Sequence, residues 1–174
     1  MITIRYGVFE TNSSSSHSIC INNSNSKIDC VDSENIITNL LDGRGAWHIK
    51  PEDVTFSRSP FRYLGQFSEK VRYALACRID KNDIENIIRK YVPEFSSFDF
   101  VDIDSMWYGT DDCILPSWLK SNNVSLEDFL TDGKYFVICD GDEYCIYYNM
   151  TKAGIISKNV TEETKHWYEK GDDE

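Results

Sequence analysis

The sequence predicts an α+β fold, an antiparallel sheet with helices packed on one face. Three features lead there. Short alternating or β-branched runs stand near both ends of the chain, apolar residues recur every three to four positions in its middle, and an Asp-Gly pair separates two apolar runs near residue 140. At 174 residues, 41% hydrophobic and 13% aromatic, the chain is long enough to bury one substantial core. One domain over residues 1–174 is expected, with an acidic tail at about 161–174 that frays.

Residues Ile2 to Val8 alternate as a strand, and Ser18 to Asn22 form a second. Between them lies TNSSSSHS, a hydroxyl-rich stretch that reads as a loop because Ser, Thr and Asn side chains satisfy nearby backbone groups and compete with regular structure. An acidic start, paired aliphatics and Gly43 describe a short capped helix over 32–42. The segment GRGAWHIKPEDVTFS reads as a Gly-punctuated connection ending in a strand at Val54 to Phe56. Pro60 then opens the main core helix, Phe61 to Arg78, whose apolar face carries Phe61, Leu64, Phe67, Val71, Ala74 and Leu75.

A second helix is predicted at Lys81 to Tyr91, with Ile84, Ile87 and Ile88 buried and Pro93 as the stop. Residues 98–104 form a weakly alternating strand, and Ser125 to Leu130 a short helix with Asp128 completing a box-like N-cap. The runs 134–139 and 144–148 pair as a hairpin across Asp140-Gly141-Asp142-Glu143. No apolar stretch has the length of a signal peptide or a membrane span, so a cytoplasmic protein is expected. The six cysteines form no CxxC pair and sit among apolar neighbours, which predicts buried, reduced thiols, neither a disulfide framework nor a zinc site.

A net charge of −11 argues against duplex DNA or an anionic membrane as partner and for a basic protein surface. Two groups of residues carry the chemistry. The first comprises Arg5, Glu10, Ser14, Ser16 and His17, which as a catalytic set would need a serine within reach of an oriented imidazole, and as a ligand loop would offer hydroxyl and amide donors to a phosphate or ribose. The second comprises Asp99, Asp102, Asp104, Asp111 and Asp112, in a stretch without Lys or Arg, together with Asp140, Asp142 and Glu143 on the expected turn. Such carboxylates form a solvated, partner-binding face that imitates nucleic-acid phosphates. The other reading is that they hold Mg²⁺ or Mn²⁺. No cofactor or metal is expected on the first of those readings. The three histidines lack metal-ligand spacing, and Trp47-His48 reads as an exposed contact or, on the commoner pattern, a Trp that closes the core.

The run from Arg5 to Ser18, RYGVFETNSSSSHS, resembles the opening of small proteins encoded by phages and mobile elements of Firmicutes, some of which are anti-CRISPR proteins acting on Cas9. The resemblance implies an acidic inhibitor of a host defence system, with Cas9 or its complex with guide RNA as the basic partner, in the bacterial cytoplasm. The alternative is a small enzyme acting on a nucleotide or nucleic acid through the serine-rich loop or a carboxylate-metal site.

Overall fold

A computed structural model describes residues 2–4, 16–22, 37–56, 62–102 and 113–140. Its elements in chain order are β1 (Ile2–Ile4), β2 (Ser16–Asn22), β3 (Ala46–Ile49), a 3₁₀ turn at Pro51–Asp53, β4 (Arg62–Leu64), α1 (Phe67–Ala76), α2 (Lys81–Tyr91), β5 (Ser97–Phe100), α3 (Leu115–Asn122), α4 (Leu126–Thr131) and β6 (Tyr135–Asp140). The architecture is α+β. Strands β1, β2, β6 and β4 form a wholly antiparallel sheet in that order, while β3 and β5 make a separate parallel pair. No helix among the described residues is long and apolar enough to cross a membrane.

Helix α2 follows its sequence pattern residue for residue. Asp80 caps its N-terminus by accepting from the Asn82 N–H, Ile84, Ile87 and Ile88 are buried, and Arg89 and Lys90 occupy the last turn, where the helix dipole favours cations. Helix α4 likewise starts at Ser125, whose hydroxyl accepts from Asp128 N–H at 3.0 Å. Val71, Ala74 and Leu75 of α1, Phe129 and Leu130 of α4, Trp47 and Ile49 of β3, and Val137 and Cys139 of β6 meet in one apolar cluster. Each fully buried Val, Leu, Ile or Phe among them contributes about 1.5 to 3 kcal/mol of transfer free energy.

Strand β6 is buried from Tyr135 to Cys139, Phe136 and Ile138 being as inaccessible as Val137 and Cys139 on the alternate positions. It is therefore a central strand covered on both faces, and Tyr63 of β4 packs its ring 5.1 Å from that of Phe136. A cation is buried beside it. Lys70, fully inaccessible on α1, donates from Nζ to the carbonyls of Asp132 and Tyr135, fixing the turn from α4 into β6.

Several expectations fail, each for a local reason. The main core helix does not begin at Phe61: Arg62–Leu64 is a strand, and the helix starts only after Gly65 and Gln66. Glu69 accepts from the N–H groups of both Gly65 and Gln66 at 3.0 Å, a cap that sets the helix start. Gly65 also admits the Tyr63 ring, since a Cβ would sit 2.5 Å from it. Val54 and Phe56 are buried without forming the expected strand, following the Pro51–Asp53 turn instead. The expected connection at 43–50 contains β3, and α3 was not anticipated at all. Strand β5 stops at Phe100, because Asp102 lies in the left-handed region at φ 54°.

The thiol expectation is also corrected. Cys77, at the C-terminus of α1, and Cys113, just before α3, are joined as a disulfide with their Cα atoms 5.2 Å apart. Their separation of 36 residues carries no local spacing signal. Cys139 is a buried free thiol, as expected, and burial pushes its pKa up to about 12. The predicted hairpin turn beyond Asp140, the strand at 144–148 and the acidic tail lie outside the described residues, as does the start of the helix predicted over 32–42, of which the structure shows the last turn at Ile37 and Thr38.

Candidate functional site

Strand β2 begins two residues earlier than its sequence suggests, so Ser16 and His17 belong to the strand. They occupy successive positions, and successive positions on a strand belong to opposite faces of the sheet. The register places Ser16 opposite Asp140 and His17 opposite Cys139. The sheet therefore brings the end of the serine-rich run beside the start of the Asp140-Gly141-Asp142-Glu143 run, joining two groups that are far apart in sequence. Arg5, Glu10, Ser14, Asp104, Asp111, Asp112, Asp142 and Glu143 lie outside the described residues.

Asp99 and Asp102 are both exposed and lie on or just beyond β5, in the other sheet. Asp99 is not isolated. Its Oδ2 is 3.0 Å from His48 Nδ1, while His48 Nε2 is 3.3 Å from Asp42 Oδ2. A neutral imidazole carries one N–H and donates to one of these carboxylates, whereas an imidazolium donates to both. The N–H groups of Ala46 and Arg44 donate to Asp42 and hold its carboxyl below the usual aspartate range, with His48 and the Arg44 guanidinium acting in the same direction. Sequence reading nominated Asp99 and noticed His48 but missed Asp42, which looks like an ordinary turn residue before Gly43. Trp47, next to His48, is 1% exposed and closes the core.

Helix α2 supplies a second polar constellation. Glu85, nearly buried, accepts from Phe98 N–H at 3.1 Å and from Arg89 Nη2 at 2.8 Å, with Lys81 Nζ at 3.5 Å. Lys81 also donates to the Phe98 carbonyl, and Arg89 to that of Ser96 at 2.7 Å. The free edge of β5 is thus hydrogen-bonded to side chains of α2 and closed to a further strand. Desolvation opposes ionisation of Glu85, yet the Phe98 N–H, Arg89 and Lys81 together keep its carboxyl below the usual glutamate range.

A cavity of about 320 Å³ opens between the Pro51–Asp53 turn, β4 and α1, lined by residues that include Glu52, Asp53, Phe56, Arg62, Tyr63 and Arg72. Most of its charge is already engaged. Arg72 faces Asp53 at 3.3 Å and lies over the Trp47 ring, Glu69 caps α1, and Arg62 stacks on Phe56. None of the described residues nominated from sequence lines it. Among the described residues, no group of three or more His, Cys, Asp or Glu side chains is arranged to hold a metal ion.

Comparison with known proteins returns no matching family model, no matching curated protein and no matching solved structure.

Proposed function

We propose that this chain is an acidic interaction protein of phage or mobile-element origin that inhibits a host defence system in the bacterial cytoplasm, with Cas9 or its guide-RNA loading surface as the target. The observation that carries the reading is charge: a net −11 on 174 residues, with Asp99 and Asp102 facing solvent outside the cavity. An anionic exterior of this kind complements the basic channel in which Cas9-type nucleases hold their heteroduplex. The run RYGVFETNSSSSHS supports the same origin by resemblance.

One observation favours a second reading, an enzyme acting on a nucleotide or nucleic acid. The β2–β6 register sets Ser16 opposite Asp140, so the end of the serine-rich run and the start of the acidic run meet at one end of the sheet. The alternation of Ser16 and His17 along β2 weighs against a nucleophile and base made from that adjacent pair.

The test titrates Cas9 cleavage and guide-RNA loading against wild type and against a variant carrying Asp99→Lys with Asp102→Asn, at low and moderate salt. Asn is chosen at 102 because it tolerates the left-handed backbone there. The inhibitor reading expects wild-type inhibition that weakens as salt rises and is slower to establish in the variant, since exposed charges act mainly on encounter. Inhibition by the variant that sets in as fast as that of the wild type, or none by the wild type, overturns it. Hydrolysis of nucleotide or nucleic acid that is lost in Ser16→Ala and His17→Ala establishes the enzyme reading in its place.

A further inference from the structure

The disulfide lies at a telling place. Cys77 is the C-terminal cap of α1 and 4% exposed, whereas Cys113 is half-buried and immediately precedes α3. Of the helices, α1 and α2 bury whole faces, but α3 fully buries only Leu115. Otherwise Ile114, Trp118 and Leu119 pack part-buried against the core, the Trp118 ring lying 6.3 Å from Phe129 and 5.7 Å from Tyr135. Those contacts tie α3 to α4 and β6. Its covalent tie to α1 is the disulfide.

This division of labour separates two consequences of reduction. The ring contacts of Trp118 with Phe129 and Tyr135 involve neither sulfur and persist on reduction, while the N-terminal end of α3 loses its covalent tie to α1. Local opening of this kind belongs to segments with few buried apolar contacts. We infer that the Cys77–Cys113 bond is a redox latch, opened in the folded protein by a small-molecule thiol and closed by the corresponding disulfide, which sets whether α3 is fastened to α1.

The chemistry balances as thiol–disulfide exchange. A glutathione-class thiolate attacks Sγ of Cys113, the less buried of the two residues, the Sγ–Sγ bond breaks, and Cys77 leaves as a thiolate that takes a proton. A second thiolate then attacks the glutathione sulfur of the mixed disulfide, releasing the Cys113 thiolate, which is protonated. The protein gains two electrons and two protons, and two glutathione-class thiols become one disulfide. Closing is the reverse.

Cys139 provides an internal control. Buried in β6 and held as a thiol, it alkylates when the sheet opens globally and stays protected when only the latch opens. The full chain is equilibrated in glutathione buffers of graded reduced-to-oxidised ratio, alkylated briefly, and read peptide by peptide by mass spectrometry, with hydrogen exchange measured in parallel. The expected result is labelling of Cys77 and Cys113 at reducing ratios with Cys139 protected, together with exchange over Leu115–Asn122 at least tenfold faster and exchange in β6 unchanged. A Cys113→Ser variant should reproduce the fast α3 exchange under oxidising conditions. A bond that resists reduction until Cys139 also labels overturns the inference, as does α3 exchange that is the same in both states or in the variant.

Discussion

The two sheets of this protein are held together by different physics. In the antiparallel sheet the central strand β6 is inaccessible from Tyr135 to Cys139, and its neighbours add Ile19 and Leu64 to the same apolar interior. In the parallel pair, one strand face enters the core through Trp47, Ile49 and Phe98, but the rest is tied by charged groups: Asp42 and Asp99 on His48, and Glu85, Lys81 and Arg89 on the backbone of β5. Gly45 completes the tie. At φ 78° its carbonyl accepts from Ser96 N–H, and a Cβ there would collide with the Glu94 carbonyl. A sheet filled by side chains depends little on pH or salt, whereas one fastened by carboxylates depends on their ionisation. That difference can be broken one residue at a time.

The largest effect is expected in the antiparallel sheet. Phe136 is fully inaccessible and in ring contact with Tyr63, so Phe136→Ala removes buried area and leaves a cavity, costing about 4 kcal/mol. Urea titration should return the same loss at pH 5 and pH 8. A loss that changes appreciably between them would show that this sheet, too, is governed by ionisation.

Glu85 comes next, and it tests the parallel pair. Glu85→Ala strands the Phe98 N–H and removes the partner of the part-exposed Arg89, for roughly 2 kcal/mol at neutral pH, most of it the cost of an unsatisfied buried donor. Because the folded-state pKa of Glu85 is lowered, its contribution is fully present above the ordinary glutamate range, about pH 4.3, and is lost as pH falls through the folded value. The difference between wild type and Glu85→Ala should therefore narrow in acid. A gap that stays constant from pH 7 down to pH 3 would contradict the assignment of Glu85 as an ionised clamp.

This contrast also explains what was legible in the sequence. Helices α2 and α4 were readable because their signals lie within a few residues of one another, at Ile84, Ile87 and Ile88 before Pro93, and at Ser125 with Asp128. The run from 134 to 139 announced β6 by β-branched and aromatic residues alone. Strand β3 was hidden because its four residues pair with β5, some fifty positions away, and its flanking glycines read as loop. Arg62–Leu64 was absorbed into a helix because Leu64, Phe67 and Val71 keep a helical spacing across a chain that actually turns at Gly65. Of the candidate site residues, Asp99 was found by composition, but its tie to His48 follows from the parallel register, and so does Ser16 beside Asp140 from the antiparallel one. Neither pairing has a local signature. The Cys77–Cys113 bond belongs to the same class.

The smallest effect sharpens the comparison at the surface end of the parallel pair. Asp99 is 56% exposed at its side chain and His48 38%, so their contact at 3.0 Å is solvated and screened. Asp99→Asn keeps the shape and removes the charge, and should cost about 0.5 kcal/mol in urea titrations at low salt. The loss should vanish in about 1 M NaCl, where the Debye length is about 3 Å. Glu85→Ala removes a carboxylate that is only 7% exposed and also accepts from the Phe98 N–H, and should keep most of its cost under the same conditions. Equal salt sensitivity of the two variants would place both carboxylates in one electrostatic environment and remove the distinction between an inner clamp and an outer one. A small cost for Asp99→Asn also bears on the inhibition experiment, because it means that any loss of inhibition on altering Asp99 arises from charge presented to the partner rather than from a weakened fold.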